Sequence, residues 1–249
     1  MLIEFAGLPT TGKSSMIKAL CKKLTRRGYL ARDLHDAAEQ GIKDCKQSRR
    51  FIRQSAERVH LFGALEFRRE NPEIFDFLMG SPDMHGGRVQ FAMEIVSQLQ
   101  FAKEKIKENG LVFVDEGLLH RGMSVFVGNN DYAAFDAYNR LLPRNTVTVF
   151  ADMTAHKVIR RSMDTRGRMP CRDWYDGMPQ LRVLREKRRL LRRAIGIRKD
   201  RGLPVVEIDA QLPVEENVSL LLRDLPDLAG IRAPKTVLDD APRHDIRVA

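Results

Sequence analysis

The sequence predicts an α/β domain built on a doubly wound parallel sheet of five strands, and three observations carry that expectation. Continuous apolar runs recur at "LIEFAG" (2–7), "LVFVDEG" (111–117), "TVTVFAD" (146–152) and "LPVVEID" (203–209). A run that is apolar at every position suits a strand covered on both faces, as in parallel sheets. Helix-period segments separate the runs, which points to strand–helix–strand units with helices on both faces. The polar residues gather where the runs end, and ligands of such sheets sit at the carboxyl ends of the strands.

Taken in order, the first run ends at Gly7 and residues 14–27 follow as a helix. Met16, Ile17, Ala19, Leu20 and Leu24 fall at helical spacing, and Gly28 stands where a helix stops. "GYLARDL" (28–34) reads as a second strand. Segment 36–78 is helical in pattern, broken at Asn71-Pro72, and "MGSPDMHGG" (79–87) is a loop by composition. Residues 88–108 make an amphipathic helix whose apolar face carries Ala92, Ile95, Val96, Leu99, Ala102 and Ile106. Residues 1–229 are expected to form one domain. The tail 230–249, of mixed charge and little periodicity, is expected to be loosely ordered.

Bulk composition narrows the class. With 249 residues, 43% of them hydrophobic, the chain can bury one sizeable core and carry a lid-like insertion. No stretch approaches a membrane span and the start has no signal-peptide pattern, so a cytoplasmic protein is expected. Cys21, Cys45 and Cys171 are odd in number, far apart and without metal-ligand spacing, which suits a reduced compartment and argues against zinc. The formal charge of +10 is uneven: segment 182–201 holds ten Lys/Arg against Glu186 and Asp200, leaving the rest close to balanced.

The chemistry starts at "GLPTTGKSS". Gly7, Gly12, Lys13 and Ser14 fit the pattern G-x-x-x-x-G-K-[ST], the P-loop, placed between a strand and a helix as it must be. Gly7 and Gly12 permit backbone angles closed to other residues. The amides from Gly7 through Leu8, Pro9 (carbonyl only), Thr10, Thr11 and Gly12 to Lys13, Ser14 and Ser15 can then wrap the phosphates of ATP, helped by the positive end of the following helix. Lys13 is expected to reach the β/γ-phosphates, and the Ser14 hydroxyl to ligate Mg²⁺.

Asp115 and Glu116 end the third strong strand. Asp115, directly after "LVFV", is the candidate to hold Mg²⁺ together with Ser14, and Glu116 can act as general base on an acceptor hydroxyl. Which of the two orients the acceptor is left open. His120 and Arg121 follow, with Arg121 either touching the acceptor or lying on a helix surface. After "TVTVFAD", segment 153–174 supplies Arg160, Arg161, Arg166 and Arg168. Guanidinium groups on a mobile lid, about 160–176, can neutralise the charge spread over a transferring phosphoryl group and exclude water. Trp174 and Tyr175 either stack on a base or pack under that lid.

The order of P-loop, "VDEG", "DMT…RRSMDTRGR" and "PVVEIDA…PVEENVSLLLRDL" resembles the thymidylate kinase-like branch of the nucleoside monophosphate kinases over about residues 1–225. The resemblance implies an ATP–Mg²⁺ phosphotransferase with the P-loop strand central, Arg160, Arg166 and Arg168 in the lid, and Asp115 as the strand-end acid. The loop interior "LPTT" lacks the acid usual in thymidylate kinases, and Glu116 stands where they carry arginine. "VDEGLLHRGMSVF" is distantly similar to deoxynucleoside kinases, which place a glutamate and an arginine at this strand end.

The acceptor pocket is expected between the second strand and Asp115. Arg58, Arg68, Arg69, Gln98 and Arg121 are its polar candidates, and Phe62, Phe67 and Phe75 its stacking candidates. Segment 182–201 has two readings: a helix packed on the sheet with solvated arginines, or a collector of DNA phosphates. The expected activity is transfer of the ATP γ-phosphoryl group to a nucleotide-like acceptor. Two alternatives are a DNA-directed kinase acting on a hydroxymethylated pyrimidine, as in phage enzymes that phosphorylate 5-hydroxymethyluracil, and a nucleotide-binding ATPase or switch. Pairing of two copies as a homodimer stays open.

Overall fold

A computed structural model describes residues 1–48, 56–80, 86–103, 106, 110–128, 131–170 and 179–228. The strands are β1 (Leu2–Gly7), β2 (Ala31–Asp33), β3 (Leu111–Asp115), β4 (Thr146–Asp152) and β5 (Val205–Asp209). They form one parallel sheet in the order β2-β3-β1-β4-β5. The strand that leads into the phosphate motif is therefore central, and the ends of β3 and β4 flank it.

The helices are α1 (Lys13–Arg26), α2 (Leu34–Ser48), α3 (Ala56–Glu70), α4 (Pro72–Met79), α5 (Gly86–Phe101), α6 (Leu118–Phe126), α7 (Tyr132–Leu141), α8 (Ala155–Arg166), α9 (Gln180–Asp200) and α10 (Val214–Leu228). The fold class expected from the sequence is the one observed. The long helical stretch 36–78 is divided into α2, α3 and α4. Pro72 takes the first position of α4, where its missing N–H is harmless, and α3 ends at Glu70, with Asn71 between the two helices. The second strand is shorter than "GYLARDL" suggests. As an edge strand it pairs only with β3, at three positions.

Burial follows the periodicities. In β1 all six residues are buried, and successive side chains point to opposite faces. Ile3 and Phe5 face one way, with Phe5 6.3 Å from Phe113 of β3, while Glu4 faces the other. Phe5, Phe113 and Phe150 are sealed from water, each contributing roughly 1.5–3 kcal/mol by transfer. On α5, Ala92, Ile95, Val96 and Leu99 are buried as the spacing requires.

Segment 182–201 becomes α9, whose apolar stripe is buried while most of its arginines are exposed, and two cations depart from that pattern. Lys187 and Arg198 lie on the buried face with Val183, Leu184, Leu190, Leu191, Ala194 and Ile195. Several of the remaining cations pair with groups of the same molecule, although Arg192, Arg193 and Lys199 stay about half exposed. Arg188 and Arg192 bind Asp152 at the end of β4, Arg193 binds Asp136, and Lys199 binds Glu207. Arg201 donates to the Asn139 carbonyl, and Arg198 donates to that of Thr146. The helix is basic because it is bolted to acids and carbonyls of the sheet and of α7. Among the described residues no helix is long and apolar enough to cross a membrane. The tail 230–249 lies outside the described residues.

Candidate phosphoryl-transfer site

The loop between β1 and α1 is set by two glycines with different jobs. Gly12 has φ 84°, in the left-handed region that side chains disfavour. Gly7 does not share that conformation; its reason is proximity. A Cβ there would lie 2.6 Å from the Ala151 carbonyl oxygen of β4. The sequence expectation that both glycines serve backbone angles is corrected for Gly7. Between them, Thr11 Oγ1 donates to the Leu8 carbonyl (2.8 Å), and Thr10 is held left-handed at φ 61°. Leu8 is buried, Pro9 is partly covered, and Ser14 and Ser15 are exposed at the start of α1.

Lys13 is 5% exposed and folds back over its own loop. Its Nζ donates to the carbonyls of Gly7 (3.2 Å) and Leu8 (3.1 Å), and lies 3.6 Å from Asp115 Oδ1 and 3.9 Å from Glu116 Oε1. Ser14 Oγ donates to Asp115 Oδ2. The pairing of β1 with β3 places Phe5 beside Asp115, so the two ends of the motif meet by register. Five candidates of the sequence reading are thereby together: Gly7, Lys13, Ser14, Asp115 and Glu116.

A magnesium ion fits this corner. Asp115 Oδ1 is buried without a hydrogen-bond partner, and the other carboxylate oxygen is already on Ser14. Among the described residues no group of three His, Cys, Asp or Glu could form a protein-only metal centre. A hydroxyl and one carboxylate suit a hard cation that takes its remaining ligands from phosphate and water.

Glu116 is the unusual residue. It is left-handed at φ 63°, a conformation costing an ordinary residue about 1–2 kcal/mol. Its carboxylate meets Arg121 Nη2 at 3.4 Å and His120 Nε2 at 3.6 Å. The carboxyl is held down to about 2, first by a His120 cation, against burial, and then by Lys13, Arg121 and Lys187. Burial, though, pushes His120 down to about 3. At neutral pH the imidazole is uncharged, so Lys13, Arg121 and Lys187 keep Glu116 ionised.

Glu4 supports this arrangement from beneath and escapes the motif-level reading. It is buried in the middle of β1, and burial raises its carboxyl above the usual range. It accepts from the His120 amide (3.1 Å) at the start of α6, whose own N-cap, Gly117, has no side chain to offer. A carboxylate against exposed helix amides is favourable. An acid inside the otherwise apolar run "LIEFAG" was the available signal for it. Lys187 and Arg198 had none beyond their place in a basic segment.

The other sequence candidates are placed as follows. Arg160 is 86% exposed and, among the described residues, is paired with Asp164, at 3.9 Å. Arg161, not Arg160, turns toward the strand ends and donates to the Ala210 carbonyl (2.8 Å). Arg166 and Arg168 are exposed, and Ser162 Oγ donates to the Arg168 carbonyl. Arg68 is on the surface, paired with Asp76 at 2.9 Å, and Arg69 with Glu66; Arg58 is also exposed. Phe67 is core, Phe62 and Phe75 are partly buried, and buried Gln98 donates to Glu94. Arg121 alone of the acceptor arginines named from the sequence stands at the strand ends, its guanidinium 5.3 Å from the ring centre of Phe91. Trp174 and Tyr175, and the lid beyond residue 170, lie outside the described residues.

No family model matches the chain, and no curated protein matches it. Two solved structures of deoxyadenosine kinase from M. mycoides are similar in fold. The one with the products dCMP and a flexible dCDP bound is 18% identical, with TM-score 0.50, covering 91% of this chain and 100% of its own. The other, with bound dATP, is 16% identical with TM-score 0.49, covering 90% and 99%. The chain thus shares a fold with the first of these structures: a five-stranded parallel sheet with helices on both faces.

Proposed function

We propose that this protein is an ATP-dependent kinase that transfers the γ-phosphoryl group to a hydroxyl of a nucleoside- or nucleotide-like acceptor. One observation carries the reading: Lys13 and Ser14 of the loop after β1 meet Asp115 and Glu116 at the end of β3. That combination provides for the two ends of a displacement. The loop amides and Lys13 hold the donor phosphates, and Ser14 and Asp115 would hold Mg²⁺, which would supply neutralisation of phosphate charge. Glu116, ionised at neutral pH, accepts the proton of the attacking hydroxyl or orients it, while Arg121 limits where that hydroxyl can lie. Arg166 and Arg168 are carried in from the lid as charge develops, with Arg160 flanking the donor.

The acceptor class rests on Glu116 and Arg121 following β3, and on the fold shared with a deoxyadenosine kinase. The DNA-directed reading is less supported, because Arg188, Arg192 and Arg193 of α9 are tied to Asp152 and Asp136. A switch or plain ATPase needs neither Glu116 nor the lid arginines. The test is incubation with γ-labelled ATP and separate pools of nucleosides, mononucleotides and duplex DNA carrying hydroxymethylpyrimidines. Label on nucleosides or mononucleotides is expected. Label on DNA alone, or hydrolysis with no acceptor labelled, would overturn the proposal.

A further inference from the structure

We propose a second anion site, separate from the loop after β1: the cleft between the start of α8 and the outer side of α9 binds a compact polyphosphate. The cleft, about 350 Å³, is lined by Thr154, Ala155 and His156 from one side and by Arg185, Arg188, Arg189 and Arg192 from the other. None of these residues belongs to the loop, to Asp115 or to Glu116, so this site does not depend on the kinase reading. Positions 185, 188, 189 and 192 recur at helical spacing, which brings four guanidinium groups to one wall.

Their charge is only half cancelled. Asp152 takes both Arg188, with two hydrogen bonds of 2.8 Å, and Arg192. Arg189 stands 3.9 Å from Glu186 and over the Tyr132 ring. Arg185 is placed against a base instead of an acid: its Nη2 lies 3.0 Å from His156 Nε2. A guanidinium has no lone pair to give, so in this contact Arg185 can only donate. The four arginines that line the cleft thus have two carboxylates, Asp152 and Glu186, as ion-pair partners, and neither lines the cleft.

The opposite wall adds the same sign. The Thr154 side chain makes no capping bond to α8, and the first turn of α8 carries no acid. Thr154, Ala155 and His156 at that turn line the cleft, and the amides of a helix N-terminus favour an anion. Forked guanidiniums around a concave pocket match tetrahedral phosphate oxygens, and more than one such group is needed to reach both Arg185 and Arg189 while Arg188 and Arg192 stay on Asp152. A duplex is a poorer match, since it asks for a row of free cations along a surface. Here Arg188 and Arg192 are anchored at Asp152.

The test is calorimetric titration of inorganic tripolyphosphate into the full-length Lys13→Ala chain, where the loop's own cation is gone. Tripolyphosphate is expected to bind, more weakly as salt rises. Adding Arg185→Ala and Arg189→Ala should weaken it by about tenfold or more, since two charge-assisted contacts are removed. Arg182→Ala, exposed on the same helix and outside the cleft, should change affinity by no more than about twofold. Both Arg185 and Arg189 are exposed, so the fold should survive; circular dichroism checks it. The single change Arg185→Gln provides an independent reading, with a loss of about threefold or more. Absence of binding to the Lys13→Ala chain, or equal affinity with and without Arg185 and Arg189, overturns the proposal. So does tighter binding of a duplex oligonucleotide, at equal phosphate, that the same double change abolishes.

Discussion

The loop after β1 and the arginine segment after β4 are both expected to handle phosphate, yet they are built in opposite ways. In the loop, Lys13 is 5% exposed and hydrogen-bonded to two carbonyls, and Gly12 fixes the turn by its left-handed backbone. In the arginine segment, Arg160 is 86% exposed, and Arg166 and Arg168 are open to water. A donor cradle gains from being rigid before its ligand arrives, because little ordering is left to do. Groups that must act only while charge develops can be delivered by closure, and lose little by being solvated beforehand. The contrast predicts that changes in the loop and strand ends alter both stability and chemistry, whereas changes in the lid alter chemistry alone.

The largest effect expected is on catalysis at the strand end. Glu116→Gln should lower kcat by about 10²–10⁴-fold, the usual range for losing a general base, with Mg·ATP binding retained. Transfer at the unaltered rate would remove Glu116 from the mechanism. Next comes the lid: Arg166→Ala with Arg168→Ala should lower kcat by roughly tenfold to several hundredfold. The melting temperature should not move, and a drop in stability without loss of rate would reverse the contrast.

The loop side is read by stability. Gly7→Ala puts a Cβ 2.6 Å from the Ala151 carbonyl. Such overpacking against backbone should cost about 1–3 kcal/mol in urea unfolding. The most diagnostic effect concerns His120. Its folded value, about 3, lies below the ordinary 6.5 of the unfolded chain. The unfolded state therefore takes up the proton first, and this contribution to stability, full above 6.5, is lost as pH falls from 6.5 toward 3. His120→Asn should flatten the pH dependence of unfolding in that window by up to about 1.4 kcal/mol per pH unit. An unchanged slope would mean His120 is not held neutral.

Much of this was legible in the sequence, for a physical reason. Strands buried on both faces must be apolar throughout, so β1, β3 and β4 announced themselves, and the phosphate loop is encoded by adjacent residues. Asp115 and Glu116 were legible because a sharp change from "LVFV" to two acids marks a strand end. What could not be read depended on distant pairs. Glu4 capping α6, Arg188 and Arg192 sharing Asp152, and Arg198 on the Thr146 carbonyl all join residues far apart in the chain. For α9, sequence gives the arginine count and a solvated face, but not which arginines also meet an acid, nor that Lys187 and Arg198 turn inward. Gly7 is a case of the right residue for another reason: its constraint comes from β4, 144 residues away.

The central claim is that the loop after β1 grips the anionic end of a nucleoside triphosphate. Calorimetric titration of Mg·ATP into the wild-type chain and into Lys13→Ala tests it most directly. Saturable binding by the wild type, weakened by roughly 10²-fold or more in the variant with the fold intact, is the expected result. A folded wild-type protein that takes up no Mg·ATP at millimolar concentration would contradict it.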